Sequence, residues 1–196
     1  MTLSKQIGRP FLVMVTLIVF VFIIKSPIFT WLTPPISIAD DYYLNIDDSA
    51  FTEYGLVTKV SDGDTITIHE NQEVRMLGID TPELSHPEIR IREECFGRDA
   101  KARLEQLILN KYVFLLKDKQ DTDKYKRSLR FVFIADKQHG IRKLFVNGYM
   151  IGEGFARAYI FERDEKYKDL IIALQQKAID GKRGLWGKCD REKFRW

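Results

Sequence analysis

The chain has 196 residues, 45% of them hydrophobic and 30% charged. That is enough for one domain plus a short extra segment, and too apolar for a wholly disordered polypeptide. Twelve Gly and six Pro exclude a collagen-like or low-complexity chain, and three His with two Cys exclude a zinc-finger array or a multi-histidine centre, so a catalytic metal would have to rely on carboxylates. The 31 Lys and Arg against 28 Asp and Glu leave a net charge of +3, which permits a polyanionic partner without requiring one.

The amino terminus reads as a membrane signal. Phe11 to Ile24 holds one polar residue, Thr16, and follows Lys5 and Arg9. As a helix that run reaches only about 21 Å, short of a hydrocarbon core of about 30 Å. Continued to Leu32 it reaches about 33 Å and spans as an uncleaved anchor. The alternative is a secretory signal peptide cut after Ser37-Ile38-Ala39. It requires an unusually long stretch before the cleavage site, so the anchor over residues 1–32 is preferred. Both readings export the remainder, because the leading positive charges stay on the cytoplasmic side. A buried core helix fits poorly, since the segment has no polar face. Residues 33–53 read as a linker: Pro34-Pro35 stops a helix, and Asp40, Asp41, Asp47 and Asp48 favour solvation. Tyr42, Tyr43 and Leu44 are the residues there that could dock on the domain.

A folded unit over residues 54–190 comes next. Gly55–Val60 and Thr65–His69 are β-branched runs around an Asp62-Gly63 turn, and Glu73–Ile79 is a third strand. Phe96, Ala100, Leu104, Leu107 and Ile108 recur at helical spacing, predicting an amphipathic helix from about Arg98 to Leu109. Tyr112–Leu116, Ser128–Ala135 and Arg142–Val146 read as strands. Val146–Phe155 stays ambiguous, because Gly148, Gly152 and Gly154 weaken a helix. Ala156–Phe161 reads as a short strand. Asp164 can cap a last helix with the stripe Tyr167, Leu170, Ile171, Leu174 and Ala178, ended by Gly181. Short strands of this number close most readily as a five-stranded barrel of the oligonucleotide-binding type with two or three helices packed outside, an α+β fold.

Chemistry-bearing residues gather at the turns. Asp62-Gly63-Asp64-Thr65 occupies one, and Asp80-Thr81-Pro82-Glu83 lies where the third strand ends. Carboxylates brought together from neighbouring turns repel, and a hard cation with oxygen ligands relieves that repulsion. Taken singly, each motif is more simply a hairpin turn or a turn start. Arg75 precedes Asp80 by five residues, so strict alternation sets them on opposite faces unless the strand bends, as Gly78 allows. Lys124-Tyr125-Lys126-Arg127 is a basic turn, ordinarily solvated surface. Two arginines facing an acidic cluster would suit a phosphodiester, because a guanidinium holds two phosphate oxygens at once.

The runs Asp62-Gly63-Asp64-Thr65, Arg75 to Glu83, Thr122 to Arg127 and Gly184-Leu185-Trp186, in that order and spacing, resemble the staphylococcal nuclease family over about Gly55 to Cys189. The resemblance implies an oligonucleotide-binding barrel that hydrolyses DNA or RNA with Ca²⁺ and leaves 3′-phosphate ends. It implies Asp64, Asp80 and the Thr81 carbonyl as Ca²⁺ ligands, with Asp62 a nearby acid. Glu83 matches the general base, and Arg75 and Arg127 match the phosphate-binding arginines. Lys124, Tyr125 and Tyr159 match substrate-pocket residues. Two positions depart from the pattern: Lys126 stands where the family usually has Gly, and Phe161 where it often has Tyr. Members that serve as scaffolds lose the catalytic residues, which this chain keeps; a non-catalytic nucleic-acid-binding module and an envelope protein using the domain for protein contacts are the competing functions.

Cys95 and Cys189 could form a disulfide in an exported domain, closing a loop worth roughly 4–5 kcal/mol in the chain-entropy picture. Two unrelated thiols, one of them buried, are the alternative.

Overall fold

The computed structural model describes residues 38–69, 71–85, 88, 92–160 and 166–190. The apolar stretch Phe11–Leu32, the Pro34-Pro35 stop, the Asp164 cap and Phe161 lie outside the described residues. The chain divides between Ile38 and Ala39, and the strands and helices of the described residues lie in the second unit. Among the described residues no helix is long and apolar enough to cross a membrane.

The elements are β1 (Tyr43–Asn45), β2 (Glu53–Val60), β3 (Thr65–Ile68), β4 (Gln72–Met76), β5 (Ile79–Asp80), α1 (Gly97–Ile108), β6 (Tyr112–Leu116), β7 (Ser128–Ala135), β8 (Arg142–Phe145), α2 (Val146–Gly152), β9 (Arg157–Ala158), α3 (Lys168–Asp180) and the single-turn α4 (Leu185–Lys188). The fold is α+β. β2, β3 and β4 form an antiparallel meander. β4 then pairs in parallel with β7, β7 antiparallel with β6, and β6 antiparallel with β2. The hydrogen bonding therefore runs β2-β3-β4-β7-β6 and returns to β2, leaving none of these five strands with a free edge along its whole length.

Alternation sets the buried face of strands such as β4, whereas β7 is buried on both faces from Leu129 to Ile134. Val57, Ile66, Ile68, Val74, Val113, Leu115, Val132 and Phe133 are fully buried strand residues. The α1 stripe Ala100, Leu104, Leu107 and Ile108 is buried as its spacing requires. α3 buries Ile171, Leu174 and Ala178, and the Tyr167 ring before it packs on Phe131 and Phe145, both at 4.8 Å between centroids. The ambiguous segment after β8 is helical, with every residue of α2 buried. Its polar Asn147 ties α2 to β7 and to the turn after β4: Oδ1 accepts from the Val132 N–H at 2.8 Å and Nδ2 donates to the Leu77 carbonyl at 2.8 Å. The third strand breaks, with β4 stopping at Met76 and β5 resuming at Ile79. Of the strand expected over Ala156–Phe161, the described residues 156–160 are regular at Arg157–Ala158.

The segment read as a linker is different from expectation. From Ala39 it belongs to the folded unit. β1 pairs with β8, Tyr42 and Tyr43 are buried, and the Tyr42 hydroxyl donates to Glu153 at 2.6 Å. Its aspartates stay solvent-exposed as expected, but two of them also reach the domain: Asp48 pairs with the buried Lys143, and Asp40 faces His139 at 3.2 Å.

Candidate active site

Strand register assembles the site. Thr65 stands opposite Arg75 across β3 and β4, so Asp64, one residue before Thr65, lies beside Arg75. Parallel pairing of Val74 with Ser128 brings the start of β7, and with it Arg127, to the same end of the sheet. The bend between β4 and β5 is made at Gly78, whose φ of +74° suits the left-handed region only glycine enters at no steric cost. The bend returns Asp80 to Arg75 despite the odd spacing between them.

Arg75 is the hub. Its Nη1 lies 3.1 Å from Asp64 Oδ2 and its Nη2 3.2 Å from Asp80 Oδ1. Nη1 also donates to the carbonyls of Ile79 (2.8 Å) and Met76 (3.0 Å), which fixes the plane of the guanidinium. Asp64 is 5% exposed. Its Oδ2 accepts from the Thr81 N–H (2.8 Å) and hydroxyl (3.0 Å), and its backbone N–H donates to Asp62 Oδ1 at 3.0 Å. Burial pushes the Asp64 carboxyl up to about 7; Arg75 and the Thr81 N–H pull it down, and Asp62 and Asp80 add repulsion.

The opposite wall is the 122–127 turn. Asp123 knots it. Oδ1 accepts from the Tyr125 and Arg127 backbone N–H groups, both at 2.9 Å, and Oδ2 from Arg127 Nε at 2.7 Å. Burial opposes ionisation of Asp123, but the bonds from Arg127 outweigh it and hold the carboxyl below its usual range. Arg127 Nη1 reaches the Thr65 hydroxyl at 3.4 Å, and that hydroxyl donates to Asp64 Oδ1 at 3.2 Å. Arg127, Thr65, Asp64, Arg75 and Asp80 therefore form one connected chain. The Tyr125 ring is exposed and carries Lys124 Nζ at 4.9 Å and the Arg127 guanidinium at 5.4 Å. Lys126 keeps the turn at φ +68°, a strained setting for a side chain that glycine would relieve.

Glu83 stands two residues beyond the buried Thr81, with its side chain exposed. Tyr159 is half exposed, its N–H bonded to the Gly78 carbonyl at 3.0 Å. Cys95 and Cys189 are joined by a disulfide.

Two residues of the site carry no role in the sequence reading. Asp123 sits inside the 122–127 motif; an Asp with N–H partners two and four residues on is an Asx-type turn, which is a usable signal. Arg157 offers none. It reaches Asp80 Oδ2 at 2.7 Å only because β5 pairs with β9 and sets Asp80 opposite Arg157.

Among the described residues no group of three or more His, Cys, Asp and Glu side chains gathers into a metal cage. What converges is a smaller oxygen-only set, Asp64 and Asp80 around one positive charge with the Thr81 main chain adjoining. That set fits a hard cation that completes its shell with water and substrate oxygens, and it is a poor match for a soft or nitrogen-seeking metal.

The model of the staphylococcal nuclease homologue family matches residues 73–188. The chain is 31% identical to a thermonuclease of Staphylococcus intermedius over 134 residues, 67% of this chain and 74% of that protein. It is 32% identical to the thermonuclease of Staphylococcus hyicus over 133 residues, 66% and 73% of the two chains. It is also 35% identical to endonuclease YncB of Bacillus subtilis over 132 residues, 65% of this chain and 58% of that one. With most of its motifs, its strand register and its charged centre falling within or beside the matched span, the chain belongs to the staphylococcal nuclease family.

Proposed function

We propose that this chain is a Ca²⁺-dependent endonuclease that hydrolyses phosphodiester bonds in DNA or RNA and leaves 3′-phosphate ends. One observation carries the reading: Arg75 holds Asp64 and Asp80 together at 3.1 and 3.2 Å while Arg127 is fixed on the other side of Thr65. The relatives named thermonuclease and endonuclease support it. The closed pairing of β2, β3, β4, β7 and β6 supports a five-stranded oligonucleotide-binding barrel beneath the site.

Asp64, Asp80 and the Thr81 carbonyl would hold the cation. When bound, Ca²⁺ offsets phosphate charge and polarises the phosphoryl oxygen. Arg75 and Arg127 donate to the non-bridging phosphate oxygens, and these bonds strengthen as charge builds in the transition state. Asp123 keeps Arg127 aimed, so little reorganisation is left for the reacting complex. Glu83 accepts the proton of the attacking water. Attack in line on phosphorus expels the 5′-oxygen. Lys124, Tyr125 and Tyr159 offer a cation and two exposed rings to the flanking nucleotide, where base–aromatic stacking is worth about 1–3 kcal/mol. The domain works outside the cytoplasm, tethered through the apolar amino-terminal segment or released from it. Digestion of nucleic acid with Ca²⁺ and then with chelator tests the activity.

A further inference from the structure

The path that holds Glu83 runs outside the charged centre. Glu83 follows two buried residues and is itself exposed, and its main chain is fastened from outside that centre. Glu94 fastens it twice. The Glu94 N–H donates to the Glu83 carbonyl at 2.9 Å, and Glu94 Oε2 accepts from the Glu83 N–H at 3.1 Å. The Glu94 carbonyl in turn accepts from the Gly97 N–H at 3.2 Å. Here α1 begins against the same stretch: a Cβ on Gly97 would sit 2.8 Å from the Glu83 carbonyl oxygen and 2.9 Å from that of Pro82. The next residue after Glu94 is Cys95, bridged to Cys189 with 6.0 Å between Cα atoms. Cys189 closes α4 and packs with Phe96 against the buried cluster of Ala178, Leu185 and Trp186. Glu83 is thus tied through Glu94 and Cys95 to a small core of its own. Asp64, Arg75, Asp80 and Arg127 are held by strand register and by one another, and none of those contacts uses Glu94 or either cysteine.

We propose that Glu94 and the Cys95–Cys189 disulfide form a brace that positions Glu83, so that reduction of the bridge lowers turnover while leaving substrate and cation binding intact. The inference rests on the endonuclease reading above and adds a redox dependence to it. Cys95 is exposed and Cys189 half-buried, so a dithiol can reach the bridge. Its thiolate attacks one sulfur, the Cys95–Cys189 bond breaks, and the second thiol resolves the mixed disulfide. Two electrons and two protons pass to the protein, which holds two thiols, and the reductant leaves as its own disulfide.

The test compares the oxidised full-length protein, the same protein reduced with dithiothreitol, the double variant Cys95→Ser/Cys189→Ser, and the oxidised variants Glu94→Ala and Glu94→Gln. A short oligonucleotide with Ca²⁺ is the substrate. Reduction should lower kcat about tenfold, with KM and the Ca²⁺ concentration for half-maximal rate within about twofold, as expected for misplacing one group by a fraction of an ångström to an ångström. Reoxidation should restore it, and the double variant should be equally slow and indifferent to dithiothreitol. Glu94→Ala should reproduce the loss with the bridge intact. Glu94→Gln, whose amide oxygen still accepts from the Glu83 N–H, should keep most of the rate. Amide exchange gives a reading independent of activity: protection at Glu83 and Glu94 should fall on reduction, while that at Thr81, bonded to Asp64, should stay. Unchanged kcat and unchanged exchange on reduction would overturn the brace, as would a parallel loss of kcat and Ca²⁺ affinity, which means general loosening. If Glu83→Gln keeps full turnover, the assignment of Glu83 as base fails instead, and exchange at Glu83 still decides whether the brace exists.

Discussion

Asp123 grips Arg127 at two points, accepting from its backbone N–H at 2.9 Å and from its side-chain Nε at 2.7 Å. The first bond shapes the turn and the second aims the guanidinium. Asp123→Ala frees both, and Asp123→Asn keeps an acceptor but loses the charge. The expected outcome is a fall in kcat/KM of about tenfold to a hundredfold for Ala and a smaller fall for Asn, read by steady-state kinetics on one oligonucleotide. Equal activity of Asp123→Ala and wild type would mean that Arg127 needs no such support.

Arg127 and Glu83 are expected to matter to turnover rather than to stability. Glu83 is exposed, and Arg127 is a partly exposed turn residue. Arg127→Ala and Glu83→Gln should each lose at least about two orders of magnitude in kcat. The urea midpoint should stay close to wild type for Glu83→Gln and fall only modestly for Arg127→Ala, which gives up the ion pair with Asp123 but leaves the core intact. Near-wild-type cleavage by either variant would refute its role.

The buried Asp64 sets a pH signature on the metal-free protein. Its folded pKa, pushed up to about 7, lies above the unfolded value of about 3.9. Between those values the native state holds a proton that the unfolded chain has lost, so this group makes stability fall as pH rises from about 4 to 7. Asp123 and Asp136, whose carboxyls sit below their usual range, give the opposite slope at lower pH. The clean observable is therefore the difference between wild type and Asp64→Asn in chelator, followed by urea unfolding. Wild type should lose roughly 1–4 kcal/mol relative to the variant across that window. A flat difference curve would place the Asp64 carboxyl near its ordinary value.

Much of this was legible in the sequence because it is local. β6 and β7 have the expected bounds, and α1 is displaced by one residue, since continuous apolar runs and a helical stripe follow from nearest-neighbour patterning. The Asp64, Arg75 and Asp80 cluster was legible through the Gly78 bend. What was missed depends on partners distant in sequence. In the 33–53 segment, read as a linker, Tyr43 docks as its type suggested, stacking on His139 at 3.6 Å and bonding Asp136 at 2.8 Å, but the β1–β8 pairing that makes the segment part of the sheet was not legible. α2 was ambiguous because glycine lowers helix propensity, and complete burial overrode that preference. Arg157 became visible only through the β5–β9 pairing.

Asn147 should be a stability residue with no direct part in chemistry. Asn147→Ala leaves the Val132 N–H and the Leu77 carbonyl buried without their side-chain partner. The expected cost is roughly 2–4 kcal/mol in urea unfolding. Because Leu77 precedes the Gly78 bend, the variant should also lose some activity. A cost below about 0.5 kcal/mol would mean that α2 is held by apolar packing alone.

The most direct measurement is digestion by the purified full-length protein of plasmid DNA and of RNA, with Ca²⁺ and then with excess chelator, followed by end-group analysis of the fragments. Cleavage is expected only with Ca²⁺, lost in chelator, restored by added metal, and leaving 3′-phosphate termini. Binding of the same nucleic acids without cleavage in Ca²⁺, Mg²⁺ or Mn²⁺ would contradict hydrolysis and leave a nucleic-acid-binding module in its place.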